Sequence, residues 1–372
     1  AIERFVEIRL VNADGQSCTL TNGFFVTFER PTVQWLTPSS GPSAGGTLVE
    51  VAGTGFRFSS YGDGVDGDRV LAGTVDLNVN VLSDQRGHPD AVKYSVVALT
   101  ATGATLNASV PDEALAPGDE VLLINLQGTA DSVVNVGRHE FLRVAAVAEN
   151  QVLFARPKEY FYGSGATDDA NIGTDAASQR VMLQRVPNYR DLVVEDGAVL
   201  QPAAWDGTSG GVLCFRVDGR LDNRGAIHAT GRGYRSGSGL SGEGLAGPNV
   251  PVQHGGGERG YISSRHIGGG GGGGHIERGI GGFAKVYGGT QYTDGGGNAG
   301  DGGAAYEIMD EARCYLGAAG GGGNARAGGA GGGAVIVMAR ELINVGTMAA
   351  GGQAGAGSGS SEMTGPGGGG AG

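Results

Sequence analysis

A repeated strand motif on either side of a long glycine block limits what this chain can fold into. The motif reads Leu221-x-Asn223-x-Gly225-x-Ile227-x-Ala229-x-Gly231, and it returns 121 residues later as Leu342-x-Asn344-x-Gly346-x-Met348-x-Ala350-x-Gly352. Each copy follows an apolar run, at 212–217 and at 334–339. An alternation of period two places one set of side chains on one face, as in a β-strand. Between the copies lie runs such as 268–274 and 320–323, which are glycine throughout. A fold built from this chain must therefore pack strands beside backbone that carries almost no side chains.

Composition separates the ways of doing that. Of 76 glycines, 20 fall in residues 1–200 and 56 in residues 201–372. Glycine does not recur every third residue and there are only 12 prolines, which excludes collagen. A flexible linker is the simplest alternative, but linkers seldom carry bulky residues such as Ile262, Ile276, Val286, Tyr315 and Leu316. The formal net charge of −12 disfavours nucleic-acid partners, which call for a basic face. No run of 18 apolar residues exists, so no membrane insertion is expected. Cys18, Cys214 and Cys314 are too few and too far apart for a disulfide framework or a metal motif. The chain opens without an initiator Met or a signal-peptide pattern, as a mature product or an excised piece would.

Before the glycine block the pattern is a succession of short strands. Apolar runs at 94–99, 120–126, 180–186, 192–194 and 199–200 read as strands, and 140–147 with 151–154 reads as a hairpin turning at Glu149-Asn150. One short helix is expected, at 306–316, from the spacing of Ala304, Ile308, Ala312 and Tyr315.

Residues 31–56, Pro-Thr-Val-Gln-Trp-Leu-Thr-Pro-Ser-Ser-Gly-Pro-Ser-Ala-Gly-Gly-Thr-Leu-Val-Glu-Val-Ala-Gly-Thr-Gly-Phe, resemble the opening of an IPT/TIG immunoglobulin-like domain. Residues 6–30, with a turn at Ala13-Asp14-Gly15, resemble the closing hairpin of the same fold. The closing part precedes the opening part. Either residues 1–30 end one domain and 31–60 start a truncated second, or the two halves pair into one sandwich. From about residue 61 onward the chain is similar to glycine-rich repeat proteins of bacterial surfaces and to phage tail-fibre adhesins tipped with polyglycine helices. The resemblances imply an extracellular, cell-surface or virion location.

The expected fold class is all-β. Immunoglobulin-like material occupies 1–60 and a β-rich domain 61–200. In 201–372, β-layers bracket a packed region of polyglycine-II-like helices. Polyproline-II geometry has three residues per turn and turns its N–H and C=O groups outward, so glycine chains can bond to one another through bare backbone.

Tyr261, Phe283, Tyr287, Tyr292 and Tyr306 are the candidate ligand contacts, because tyrosine joins an apolar face to a hydroxyl. The alternative is that they wedge the glycine chains apart. No cofactor and no metal site is expected. Asp63, Asp66 and Asp68 offer oxygen ligands for Ca²⁺ but lack an EF-hand glutamate, so a solvated acidic turn is the simpler reading. Gly207-Thr208-Ser209-Gly210-Gly211 matches G-x-S-x-G, yet a strand follows where a nucleophile elbow needs a helix.

The expected function is non-enzymatic: a structural or adhesive fibre, filament or surface-adhesin segment. Its partners would be further subunits of itself, as a homo-oligomer or polymer, and a cell-surface glycan or protein. The alternatives are a phage tail-fibre receptor-binding protein and a polysaccharide-active β-helix enzyme. The carboxylates nearest to a catalytic cluster for the enzyme are Asp191, Glu195, Asp196 and Asp206.

Overall fold

The computed structural model describes residues 4–11, 17–26, 32–37, 40, 50–54, 61–82, 86–236, 241–247, 256–259, 262–263, 266–268, 273–275, 279–280, 284–286, 291–292, 301, 303–306, 313–323 and 327–356. Among them there are strands and no helix. Tyr306 and residues 313–316, expected to be helical, are irregular extended backbone, and 307–312 lie outside the described residues. The reason is local: Tyr306 N donates to His275 O and Cys314 N to Gly137 O, so these backbone groups are spent on other segments rather than on a helical turn.

The chain divides into two compact units, Ala1–Ser60 and Tyr61–Gly372. In the first, Arg4–Val11 pairs antiparallel with Ser17–Val26, and Thr32–Thr37 with Glu50–Thr54, as two separate two-stranded sheets. The Ala13-Asp14-Gly15 turn lies outside the described residues, and the register Val11 to Ser17 leaves five residues to close it.

The second unit is built from three layers that share walls. Six antiparallel strands close a barrel in the order His139–Ala148, Gln151–Phe154, Gly103–Leu106, Lys93–Thr100, Arg180–Arg185, Glu120–Gln127. Glu149, with φ of 53°, turns the expected hairpin. Val96, Leu106, Val121, Leu123, Leu142, Val144, Val181 and Leu183 fill the barrel. The strands Glu120–Gln127 and Arg180–Arg185 are buried on both faces. Their outer residues Leu122, Ile124, Leu126 and Met182 join a second core with Trp205, Val212, Cys214, Tyr234 and Leu316. Burial on both faces explains why these stretches read as continuous apolar runs rather than alternating ones.

The second layer is a parallel stack of four rungs, each a strand, a corner and a second strand. The rungs are Arg69–Leu71 with Thr74–Asp76, Leu192–Val194 with Val199–Gln201, Val212–Asn223 with Ala226–His228, and Ala334–Asn344 with Thr347–Ala349. The two motif copies bracket the glycine block in sequence and are neighbours in space. Leu221 pairs with Leu342, Asn223 with Asn344, and Ile227 with Met348. Strands on both sides of residue 200 share these sheets.

The corners of the last two rungs demand glycine. A Cβ on Gly346 would lie 2.0 Å from Gly225 O, and one on Gly225 2.3 Å from Ala198 O. Inside, Leu192, Val194, Leu200, Leu221, Ile227, Phe215 and Tyr189 form the third core.

Candidate functional site

The third layer leaves the stack after Ala229 and returns at Ala334, and it is the part of the molecule most unlike an ordinary domain. Around residues 316–320 four other segments bond to the same short stretch of backbone. Gly317 N donates to Gly332 O and Gly317 O accepts from Tyr234 N. Ala319 N donates to Glu243 O, Ala319 O accepts from Gly257 N, and Gly320 N donates to Gly329 O. A β-strand presents its groups in one plane and can serve two neighbours.

Side chains have no room in this arrangement. A Cβ on Gly331 would sit 1.8 Å from Gly317 O, on Gly332 1.8 Å from Ala350 O, on Gly233 2.0 Å from Gly332 O, and on Gly242 2.1 Å from Ala319 O. The clashes are with backbone, which cannot swing aside. Ala318 and Ala319 are the largest residues that the centre of the layer admits, and both are fully buried.

Large side chains close the layer against the barrel. Tyr234 OH donates to Leu126 O at 2.5 Å, and Trp205 Nε1 donates to Glu243 Oε2 at 3.0 Å, with the two rings edge-to-face at 5.9 Å. Glu243 also receives the Arg235 guanidinium at 2.7 Å. Arg313 Nη1 donates to Val134 O at 2.6 Å, which ties the layer to the loop before the barrel strand His139–Ala148.

This placement corrects one expected ligand contact. Tyr306 is 4% exposed, donates to Leu316 O at 2.7 Å and packs edge-to-face on His275 at 5.0 Å. A layer without side chains leaves gaps at its rim, and a buried tyrosine fills one while bonding its hydroxyl to spare backbone. Tyr261, Phe283 and Tyr287 lie outside the described residues, and Tyr292 pairs with Ala284 at a strand end.

The acidic candidates are distributed among separate arginines. Asp63 pairs with Arg143 at 3.1 Å, Asp66 with Arg185 at 2.7 Å, and Asp68 with Arg190. Among the described residues no group of three or more His, Cys, Asp or Glu converges as a metal site would. Asp66 belongs to a buried network where the barrel meets the rungs. Arg185 also pairs with Asp119 at 3.1 Å, and Arg216 takes Glu120 through two bonds of 2.7 and 2.9 Å.

Ser209 is engaged rather than poised. Its Oγ accepts from Lys93 Nζ at 2.7 Å and donates to Asp206 Oδ2 at 3.1 Å. Burial would raise the Asp206 carboxyl. Bonds from the Thr208 hydroxyl and from the Ser209 and Thr208 amides, with Lys93 nearby, outweigh it and hold the group at about 2. Asp191 accepts from Arg220 N.

Sequence reasoning missed Asp76, whose carboxyl burial pushes upward against the Asn78 amide and the charges of Arg232 and Lys93. No motif marks it, and only the rung brings it near the Lys93 side. It also missed an aromatic group on the barrel, where half-exposed Tyr160 and Phe161 carry Arg138 and Lys158 over their rings at 5.9 and 4.9 Å.

The two ends of the rung stack differ. At the first rung Leu71 and Val75 are buried in one core with Leu77, Leu82 and Ala91, and Tyr189 OH donates to Asp90 at 3.0 Å. At the last rung Leu342 is 50% and Val345 79% exposed, with Ile343 also open to solvent. Among the described residues nothing pairs with the outer edge of Ala334–Asn344 or Thr347–Ala349.

A family model for the IPT/TIG domain matches residues 31–110. The match leaves out residues 6–30 and continues past residue 56 into the second unit, as far as the strand Gly103–Leu106 and the residues after it. Among solved structures, the Pseudomonas phage phi297 tailspike gp61 is 19% identical over 43% of this chain and 24% of that one, with a TM-score of 0.17. The tailspike gp49 from Pseudomonas phage LKA1 is 16% identical over 37% and 24%, with a TM-score of 0.16. The chain thus spans about a quarter of each tailspike. No curated protein matches it.

Proposed function

We propose that this chain is a structural and adhesive protein of an extracellular or virion-borne assembly, and that its glycine layer is a polyglycine-II-like lattice serving as a rigid mount for surface loops. The carrying observation is the stretch 316–320, whose backbone bonds to four other segments. A threefold chain with outward groups accounts for that, whereas a sheet does not. Glycine surrenders more chain entropy on ordering than any other residue. The lattice offsets that cost through bonds to neighbouring backbone and through the aromatic rim of Trp205, Tyr234 and Tyr306. Binding of the whole chain to a panel of bacterial-surface glycans and intact cells tests this reading. Saturable binding that survives mutation of every candidate carboxylate supports it, and failure to bind any surface refutes the adhesive part.

A second reading, a polysaccharide-active enzyme, has one observation in its favour. Lys93 pairs with Asp206, held at about 2, at 3.1 Å and its charge also reaches Asp76, which burial raises, and carboxyls pushed apart in this way suit an acid and a base. Release of reducing ends from polysaccharide, lost in both Asp76→Asn and Asp206→Asn, would establish it and displace the structural reading.

A further inference from the structure

The rungs meet through three parallel contacts in continuous register, and the outer side of the fourth rung repeats the residue pattern that makes the last of them. At the first inward position stand Arg69, Leu192, Leu221 and Leu342, and at the second Leu71, Val194, Asn223 and Asn344. Asn223 Nδ2 donates across the last contact to Asn344 Oδ1 at 2.7 Å and to Thr347 O at 3.1 Å. Asn344 stands one rung further out in the same register. The corner glycine repeats as well, because Gly346 fits against Gly225 O only without a Cβ. At the first rung, also a sheet edge, Leu71 and Val75 are buried in one core with Leu77, Leu82 and Ala91. The last rung has no such cover among the described residues and exposes Leu342, Ile343 and Val345.

We propose that the rung Ala334–Ala349 is a docking edge for one further parallel rung, a polypeptide segment of the pattern Leu-x-Asn-x-Gly-x-(Ile/Met) supplied by another protein. This is strand addition to an open sheet edge, with backbone bonds giving affinity and alternate side chains giving selectivity. The continuity of the stack chooses this occupant. A parallel rung extends both edge strands, receives the Asn344 amide, and needs glycine at its corner. A second copy of this chain related by a twofold axis would meet the edge antiparallel and leave Asn344 and Thr347–Ala349 uncovered. Residues 357–372 contain no such pattern, and both copies in this chain are already stacked. The inference concerns the stack alone and stands whether or not the adhesive reading holds.

The test adds a synthetic peptide of residues 219–231 to the full chain and follows amide exchange and binding together. Saturable binding is expected, with slowed exchange at 335–349. Changing the peptide's Gly225 to Val, or making Val345→Lys in the protein, should weaken binding at least tenfold without lowering the midpoint of unfolding. Asn344→Leu should weaken it less. Lack of saturation at millimolar peptide overturns the proposal, as does protection elsewhere. A concentration-dependent dimer abolished by Val345→Lys also overturns it, in favour of a second copy as the occupant.

Discussion

The barrel and the glycine layer meet at a shared wall yet keep water out by opposite means. In the barrel, Leu123, Val181 and Leu183 bury branched side chains, and the backbone bonds to two neighbours in a surface. In the layer, backbone lies on backbone, and a Cβ added at Gly233, Gly242, Gly273, Gly331 or Gly332 would meet a carbonyl oxygen first. A side-chain core can re-pack around a lost methyl group, and its cost is graded with the volume removed. A backbone core has nothing that can rotate out of the way. The comparison teaches that glycine-rich sequence is compatible with a tightly specified interior, provided that side-chain-rich layers hold its edges.

The largest effect is expected in the buried ion-pair network where the barrel meets the rungs. Asp66→Ala strips a partner from the buried Arg185 and should cost about 3–5 kcal/mol, measured by denaturant unfolding. Next, Gly331→Ala places a methyl group against Gly317 O and should cost about 3 kcal/mol. Val181→Ala in the barrel should cost about 2 kcal/mol by leaving a cavity. If Gly331→Ala proves neutral, the layer is looser than a packed interior and the comparison fails.

Asn223→Ala removes the bonds to Asn344 and Thr347 and should cost about 1–2 kcal/mol. Acid gives a smaller effect. The Asp206 carboxyl titrates near 4 in an unfolded chain and at about 2 in the folded one. Its contribution is complete above pH 4 and is lost as pH falls through about 2. For a half-exposed group that is under about 1 kcal/mol, read as the difference between wild type and Asp206→Asn across that interval. The least perturbing probe is thiol labelling. Burial pushes Cys314 up to about 12 and Cys214 higher, so neither should react with iodoacetamide at pH 8 until the protein unfolds.

Much of the β architecture was legible because its signals are local. The alternation in 221–231 and its copy marked both as strands, though not that they pair with each other, and the Glu149 turn lay where the flanking apolar runs placed it. The stack of four rungs was not legible as four. The rung at 192–201 has two extra residues at its corner, and the rung at 69–76 carries Arg69 and Leu71 where the motif has Leu and Asn. Backbone pairing, rather than side-chain identity, makes those rungs equivalent.

Tyr306 was misplaced for a related reason. Aromatic residues amid glycine look exposed when burial is judged from neighbouring side chains, but here the neighbours that bury it are peptide groups. The immunoglobulin-like resemblance was legible from residue 31, while its continuation to residue 110 was hidden. Residues 61–110 follow strand patterns that serve the rungs and the barrel.

Native-state amide exchange at Gly233, Tyr234, Gly317, Ala319 and Gly331 tests the central claim most directly, since each of these N–H groups is bonded to another segment of the layer. The account predicts protection comparable to that of Leu123 and Leu183 in the barrel, lost in the same transition. Exchange of these five amides at the rate of an unstructured peptide, while the barrel stays protected, would contradict it.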